Sequence, residues 1–170
     1  MERFRKISIT MNVTAALVAS VANAQTATAV VRTERNISLA LANEIAGATV
    51  SACSANGYAV TATVVDRAGG VRAVQRADNA GPHTLSSSQQ KAFTSASARN
   101  TTLAMQDGSQ KHPAAANLVY IPGFLLLSGG VPIKIGNDVI GVVGVGGAPG
   151  GHLDEQCAMV ALDTVKDQLK

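Results

Sequence analysis

The sequence predicts an α+β domain built on an antiparallel sheet, and three observations carry that prediction. Apolar residues recur at helical spacing in two stretches, Ile37 to Ala52 and Ala158 to Leu169. Extended, β-branched runs flank a Gly-containing turn twice, at Asp66-Arg67-Ala68-Gly69-Gly70 and at Gly136-Asn137-Asp138, which is the pattern of a hairpin. The order of these elements contains no crossover between parallel strands.

The first helix begins near Asn36, with Ile37, Leu41, Ile45, Ala48 and Ala52 on one face, and Gly57 stops it. Tyr58 to Asp66 and Val71 to Arg76 then read as the two strands of the first hairpin. Asp78-Asn79-Ala80-Gly81-Pro82 breaks the chain, and Ser86 to Arg99 reads as a helix whose serines can cap its first amides. Asn100 to Gln106 is a short helix anchored by Leu103 and Met105, Asp107 to Asn117 a loop, and Phe124 to Leu127 a short apolar strand. Val131 to Ile135 and Val139 to Val145 make the second hairpin. The last helix runs from about Leu153 to Leu169, with Ala158, Ala161, Leu162 and Val165 buried and Asp154 suited to the positive helix end.

Of 170 residues, 46% are apolar and 15% charged, which excludes a disordered chain, since there is ample surface to bury against the entropy of ordering. Aromatics are only 3%, so the core must come from Ala, Val, Leu and Ile, and a base-stacking surface for nucleic acid is disfavoured. Residues 1–24 read as a cleavable signal peptide: Arg3, Arg5 and Lys6, then an uncharged stretch, then Ala22-Asn23-Ala24 before Gln25. This places the mature protein in the periplasm or outside the cell, with no membrane insertion after cleavage. Residues 25–35 form a flexible lead-in, and 36–170 the domain. Without the leader, 11 basic side chains face 10 acidic ones, so charge offers no argument for nucleic acid or anionic lipid.

Four blocks then resemble the GlcG/HbpS family: Val64-Val65-Asp66 with Gly69-Gly70; Gln90-Lys91-Ala92-Phe93-Thr94-Ser95-Ala96; Gly129-Gly130-Val131-Pro132-Ile133; and Ile140 to Gly147. That family includes extracellular haem-binding proteins and the C-terminal domain of PduO-type proteins. The resemblance spans about residues 36–168. It implies a profilin-like fold with a five-stranded antiparallel sheet flanked by helices, homo-oligomers that are commonly octamers, and haem or another tetrapyrrole as ligand. It carries no axial ligand over to a numbered residue.

Imidazole is the commonest metal ligand, so His83, His112 and His152 are the candidates for haem iron, with His83 first and Met105 and Tyr120 as second choices. Lys91 and Arg99 could steer the propionates; alternatively Lys91 is a solvated lysine or an ion-pair partner of Asp66. Gly146, Gly147 and His152 form a rim whose backbone amides, at the start of the last helix, suit a small acid. The glycines there lack the G-x-G-x-x-G spacing and more simply let a helix approach the sheet. Cys53 and Cys157 are either a disulfide, permitted on export, or two small buried hydrophobes. No G-x-S-x-G elbow occurs, and no catalytic residue is identified. The expected function is an exported haem-binding protein that senses, scavenges or degrades haem; the alternative is an enzyme or accessory protein binding a small organic acid.

Overall fold

The computed structural model describes residues 31–170; the expected leader and most of the lead-in lie outside the described residues. The chain divides into units Met1–Thr33 and Glu34–Lys170, and the second holds all regular elements among the described residues. These are α1 (Leu39–Ser54), β1 (Thr61–Asp66), β2 (Val71–Arg76), α2 (His83–Ala98), α3 (Thr102–Lys111), α4 (Pro113–Ala116), β3 (Gly130–Ile135), β4 (Asp138–Gly146) and α5 (Gly151–Thr164), with short 3-10 turns after α4 and α5. Glu34 pairs with Arg67 and Arg35 with Asp138, which ties the last residues before α1 to the two hairpin turns.

The strands form one antiparallel sheet in the order β2-β1-β4-β3. The two central strands are buried almost throughout, whereas β2 buries only Ala73, as an edge strand should. Pro132, which cannot donate to a ladder, sits on the other edge strand, β3. Opposite Ile133 and Lys134, Ile140 is an extra residue on β4. This bulge turns Ile140 and Gly141 toward the same side and restores the alternation at Val142.

The two faces are built differently. Against α1 and α5 the sheet presents Ala62, Val64, Val131, Ile133, Val143 and Val145, which pack on Ala42, Ile45, Ala46, Ala158 and Val165. Each fully buried Val or Ile there stabilises the fold by roughly 1.5–3 kcal/mol. A disulfide, Cys53–Cys157, joins the two helices across this layer. Against α2 the sheet presents Val65 and Val142 but also Thr61, Thr63, Gly144 and Gly146. Thr61 Oγ1 meets Thr84 Oγ1 and Thr63 Oγ1 meets Ser88 Oγ, each at 2.7 Å. A β-carbon on Gly144 would overlap the Ser88 carbonyl oxygen and lie 2.5 Å from the Ala92 amide, so α2 rests directly on bare backbone.

Four expectations need correction. Among the described residues the sheet has four strands, not five: Phe124 to Leu127 is irregular, its Phe124 N–H going to the Ile121 carbonyl and its Leu125 N–H to Thr94 Oγ1, while the next amide, Ser128 N–H, goes to Gln106 Oε1. The segment Asp107 to Asn117 is not a loop; α3 continues through Gly108 to Lys111, and Pro113 starts α4 at the position where its missing N–H costs nothing. The anchor of α3 is Thr102, whose hydroxyl accepts from Gly130 N–H, while Leu103 is exposed. Finally, α2 starts at His83 with no side-chain cap; Ser86 Oγ donates to the His83 carbonyl instead.

Candidate functional site

Where the C-terminal end of α1 runs beside α5, the two helices and Leu103 of α3 enclose a groove of about 690 Å³. Its walls are mainly apolar: Ala52 from α1 and Ala55 just past its end, Leu153, Met159 and Val160 from α5. Helical spacing on α5 puts His152, Glu155 and Met159 on this side in succession. Tyr58, just past the end of α1, adds a phenol. The disulfide is part of the wall, since Cys157 lines the groove and is bonded to Cys53 behind it. Glu155 is anchored by Ser128 Oγ, which donates to Glu155 Oε2 at 2.6 Å.

His152 is exposed and is the only histidine lining one of the three hollows described here. The other two are a 530 Å³ hollow bordered by Tyr58, Arg76 and Asp78, and a 350 Å³ hollow bordered by Ser86, Gln90 and Phe93. His83, at the first residue of α2, and His112, at the joint between α3 and α4, are exposed and line none of them. Tyr120 is 81% exposed and Met105 half-buried. Arg99 is exposed at the left-handed C-cap of α2. The structure therefore does not bring His83, His112, Lys91 and Arg99 together around one hollow.

Lys91 has another partner. It is 1% exposed, and its Nζ donates to Asp154 Oδ2 at 2.7 Å, not to Asp66, whose Oδ1 accepts Ala68 and Gly70 N–H. The other oxygen of Asp154 accepts the Ala148 amide at 3.0 Å. Burial pushes the Asp154 carboxyl above its usual range, against the opposing pull of Lys91, of the Ala148 amide and of His152. Gly129, at φ +127°, completes the enclosure: a β-carbon there would lie 2.9 Å from Asp154 Cβ and 3.0 Å from Lys91 Nζ. An amide of the Gly146–His152 rim, the one expected to serve a small acid, is thus taken by Asp154 of the chain itself. Gly146 packs against Ser87 and serves the approach of α2, while Gly147 lies against the backbone of Ala59 and Val60 and touches Thr84 of α2.

The groove fits a tetrapyrrole in volume, in apolar lining and in holding an imidazole at its wall. Among the described residues no lysine or arginine lines it, so carboxylate groups of such a ligand belong at its solvent side. Of the residues lining this groove, the sequence singled out His152 as an iron candidate and Cys157 only as half of a disulfide or a buried hydrophobe, and did not point to Tyr58, Glu155 or Met159. The usable signal was the His152-x-x-Glu155-x-x-x-Met159 spacing, one helix face beside the cysteine.

A family model described as "Haem degrading protein HbpS-like" matches residues 37–163. Protein GlcG of Escherichia coli (strain K12) is 31% identical over 114 residues, 67% of this chain and 84% of that protein. A double mutant of HbpS from Streptomyces reticuli superposes with a TM-score of 0.76 at 33% identity, covering 89% of this chain and 98% of the other. A PduOC:heme complex superposes with a TM-score of 0.67 over 75% of this chain and 94% of the other; at 19% identity that likeness concerns the fold alone.

Proposed function

The chain belongs to the HbpS-like family, and on that premise we propose that it binds haem in the groove between α1 and α5, with His152 as the iron donor. The observation that carries this reading is an imidazole on the wall of an apolar groove of about 690 Å³. His152 replaces His83 as first choice because it lines an apolar groove, whereas His83 and His112 are exposed and line none of the three hollows. When bound, haem would supply the redox and ligand chemistry of its iron; the chain supplies the imidazole, the apolar contact surface of Leu153, Met159 and Val160, and the phenol of Tyr58 as a polar handle.

We further propose that the protein works in the periplasm or outside the cell after loss of residues 1–24, in haem sensing, scavenging or degradation. The Cys53–Cys157 disulfide supports an oxidising compartment. Self-association, with an octamer as the expected size, is supported by exposed apolar residues outside the groove, among them Val119, Tyr120, Ile121 and Leu127.

Hemin titration of the oxidised protein tests the reading. A saturable Soret shift is expected, weakened at least about tenfold in His152→Ala, an iron–imidazole bond being worth more than the 1.4 kcal/mol of that factor, and unchanged in His83→Ala and His112→Ala. An unaltered titration in His152→Ala removes the assignment of His152; no saturable shift at all removes the haem reading.

A further inference from the structure

Resting on the proposed groove, we infer that the Cys53–Cys157 disulfide is a latch on it, so that ligand occupancy and the redox state of these two cysteines are coupled. One wall of the groove is the end of α1 and the other is α5, and the disulfide is the covalent link between those walls. Cys53 is fully buried and Cys157 only 3% exposed. Cys157 nevertheless lines the groove, so the groove is the route by which a small thiol reaches its sulfur. An occupant in contact with Leu153, Met159 and Val160 blocks that route.

The chemistry balances with a dithiol as the reductant. Its thiolate attacks Cys157 Sγ, the Sγ–Sγ bond breaks to release the Cys53 thiolate, and a mixed disulfide forms. The second thiol of the reagent then closes the reagent's own disulfide and frees Cys157, two electrons and two protons having passed to the protein. Without the link, α1 and α5 keep their shared apolar face but lose the constraint that sets the groove's width. Linkage is reciprocal: the factor by which reduction weakens binding is the factor by which a saturating ligand shifts the dithiol–disulfide equilibrium toward the oxidised protein.

The test uses the full protein with two probes, hemin and metal-free protoporphyrin, and titrates the disulfide against a dithiol buffer with and without each probe. Reduction is expected to lower probe affinity by about tenfold, with an equal shift of the redox equilibrium, within the usual range of site-to-site coupling. Met159→Trp, which fills the groove without a ligand, is expected to slow reduction of the oxidised fold, and Met159→Ala to hasten it. Should the reduced protein unfold, these two rates decide. Equal affinities in both redox states, or reduction rates indifferent to both Met159 variants, overturn the latch and leave haem binding standing. Protoporphyrin coupling without hemin binding overturns the haem reading and keeps the latch; failure of both probes to bind overturns both.

Discussion

The two faces of the sheet solve the same problem with different materials. Facing α1 and α5, the sheet buries branched aliphatic side chains and the layer is closed by a disulfide. Facing α2, it buries hydroxyls, bare glycine backbone and, beyond the end of β4, a lysine–aspartate pair. The first face tolerates small shifts, because burial energy depends on area and not on direction. The second does not, because each buried polar group needs its one partner at hydrogen-bond distance or leaves its desolvation uncompensated. The groove opens on the tolerant side, between helices that share an apolar face and are joined by one covalent link, while the unforgiving side holds α2 and the first turn of α5 in place.

Experiments that remove one device from each face would sharpen the contrast. The largest effect is expected on the apolar face: the disulfide closes a loop with a sequence separation of 104 residues, and its loss should cost about 4–5 kcal/mol, read as the difference in urea midpoint between oxidised and reduced protein. Next, Lys91→Met leaves a buried carboxylate without its cation and should cost about 3–5 kcal/mol by the same measurement. The double change Lys91→Met with Asp154→Leu should recover most of that, short of the share owed to the Ala148 amide, which loses its acceptor. If the double variant is no better than the single one, the pair is not the reason Lys91 is buried.

Smaller effects follow. Gly144→Ala pushes a methyl into the backbone of α2 and should cost about 1–3 kcal/mol, whereas Ala62→Gly on the opposite face of β1 removes one methyl and a little strand preference and should cost less. A pH series isolates the smallest term. Because the folded-state pKa of Asp154 is raised, the folded protein holds this proton more tightly than the unfolded chain. Stability relative to Asp154→Asn should therefore be highest at and below the ordinary carboxylate range, fall as pH rises through the raised pKa, and level off above it. Thermal melts of both proteins across that range give the slope; a difference that rises with pH would contradict the sign.

The same contrast explains what could be read from the sequence. Ile37, Ile45, Ala158 and Val165 announce the apolar face because aliphatic residues at helical spacing have few other uses. The strands and both hairpins followed from β-branched runs and Gly-containing turns. The face under α2 was hidden: Thr84, Ser88, Lys91 and Ser95 do recur at helical spacing, but each is a residue type found mostly on surfaces, so the stripe reads as solvated. The extra strand at Phe124 to Leu127 was expected because an apolar run says nothing about where its amides go, and here the Ile121 carbonyl takes that of Phe124 and Thr94 that of Leu125. For the candidate site, His152 was legible as an imidazole and Cys157 only as half of a disulfide or a buried hydrophobe, but the groove itself depends on how closely α1 lies beside α5, which no local pattern encodes.

The link between Cys53 and Cys157 also makes most of the molecule a covalent ring, for every strand and α2 to α4 lie between those two positions. A protease that cuts any single exposed bond within it, for instance near Tyr120, would yield fragments that migrate together until a thiol is added. A nicked chain of this kind keeps its halves at high effective concentration, so such a cut costs far less order than it would in an open polypeptide.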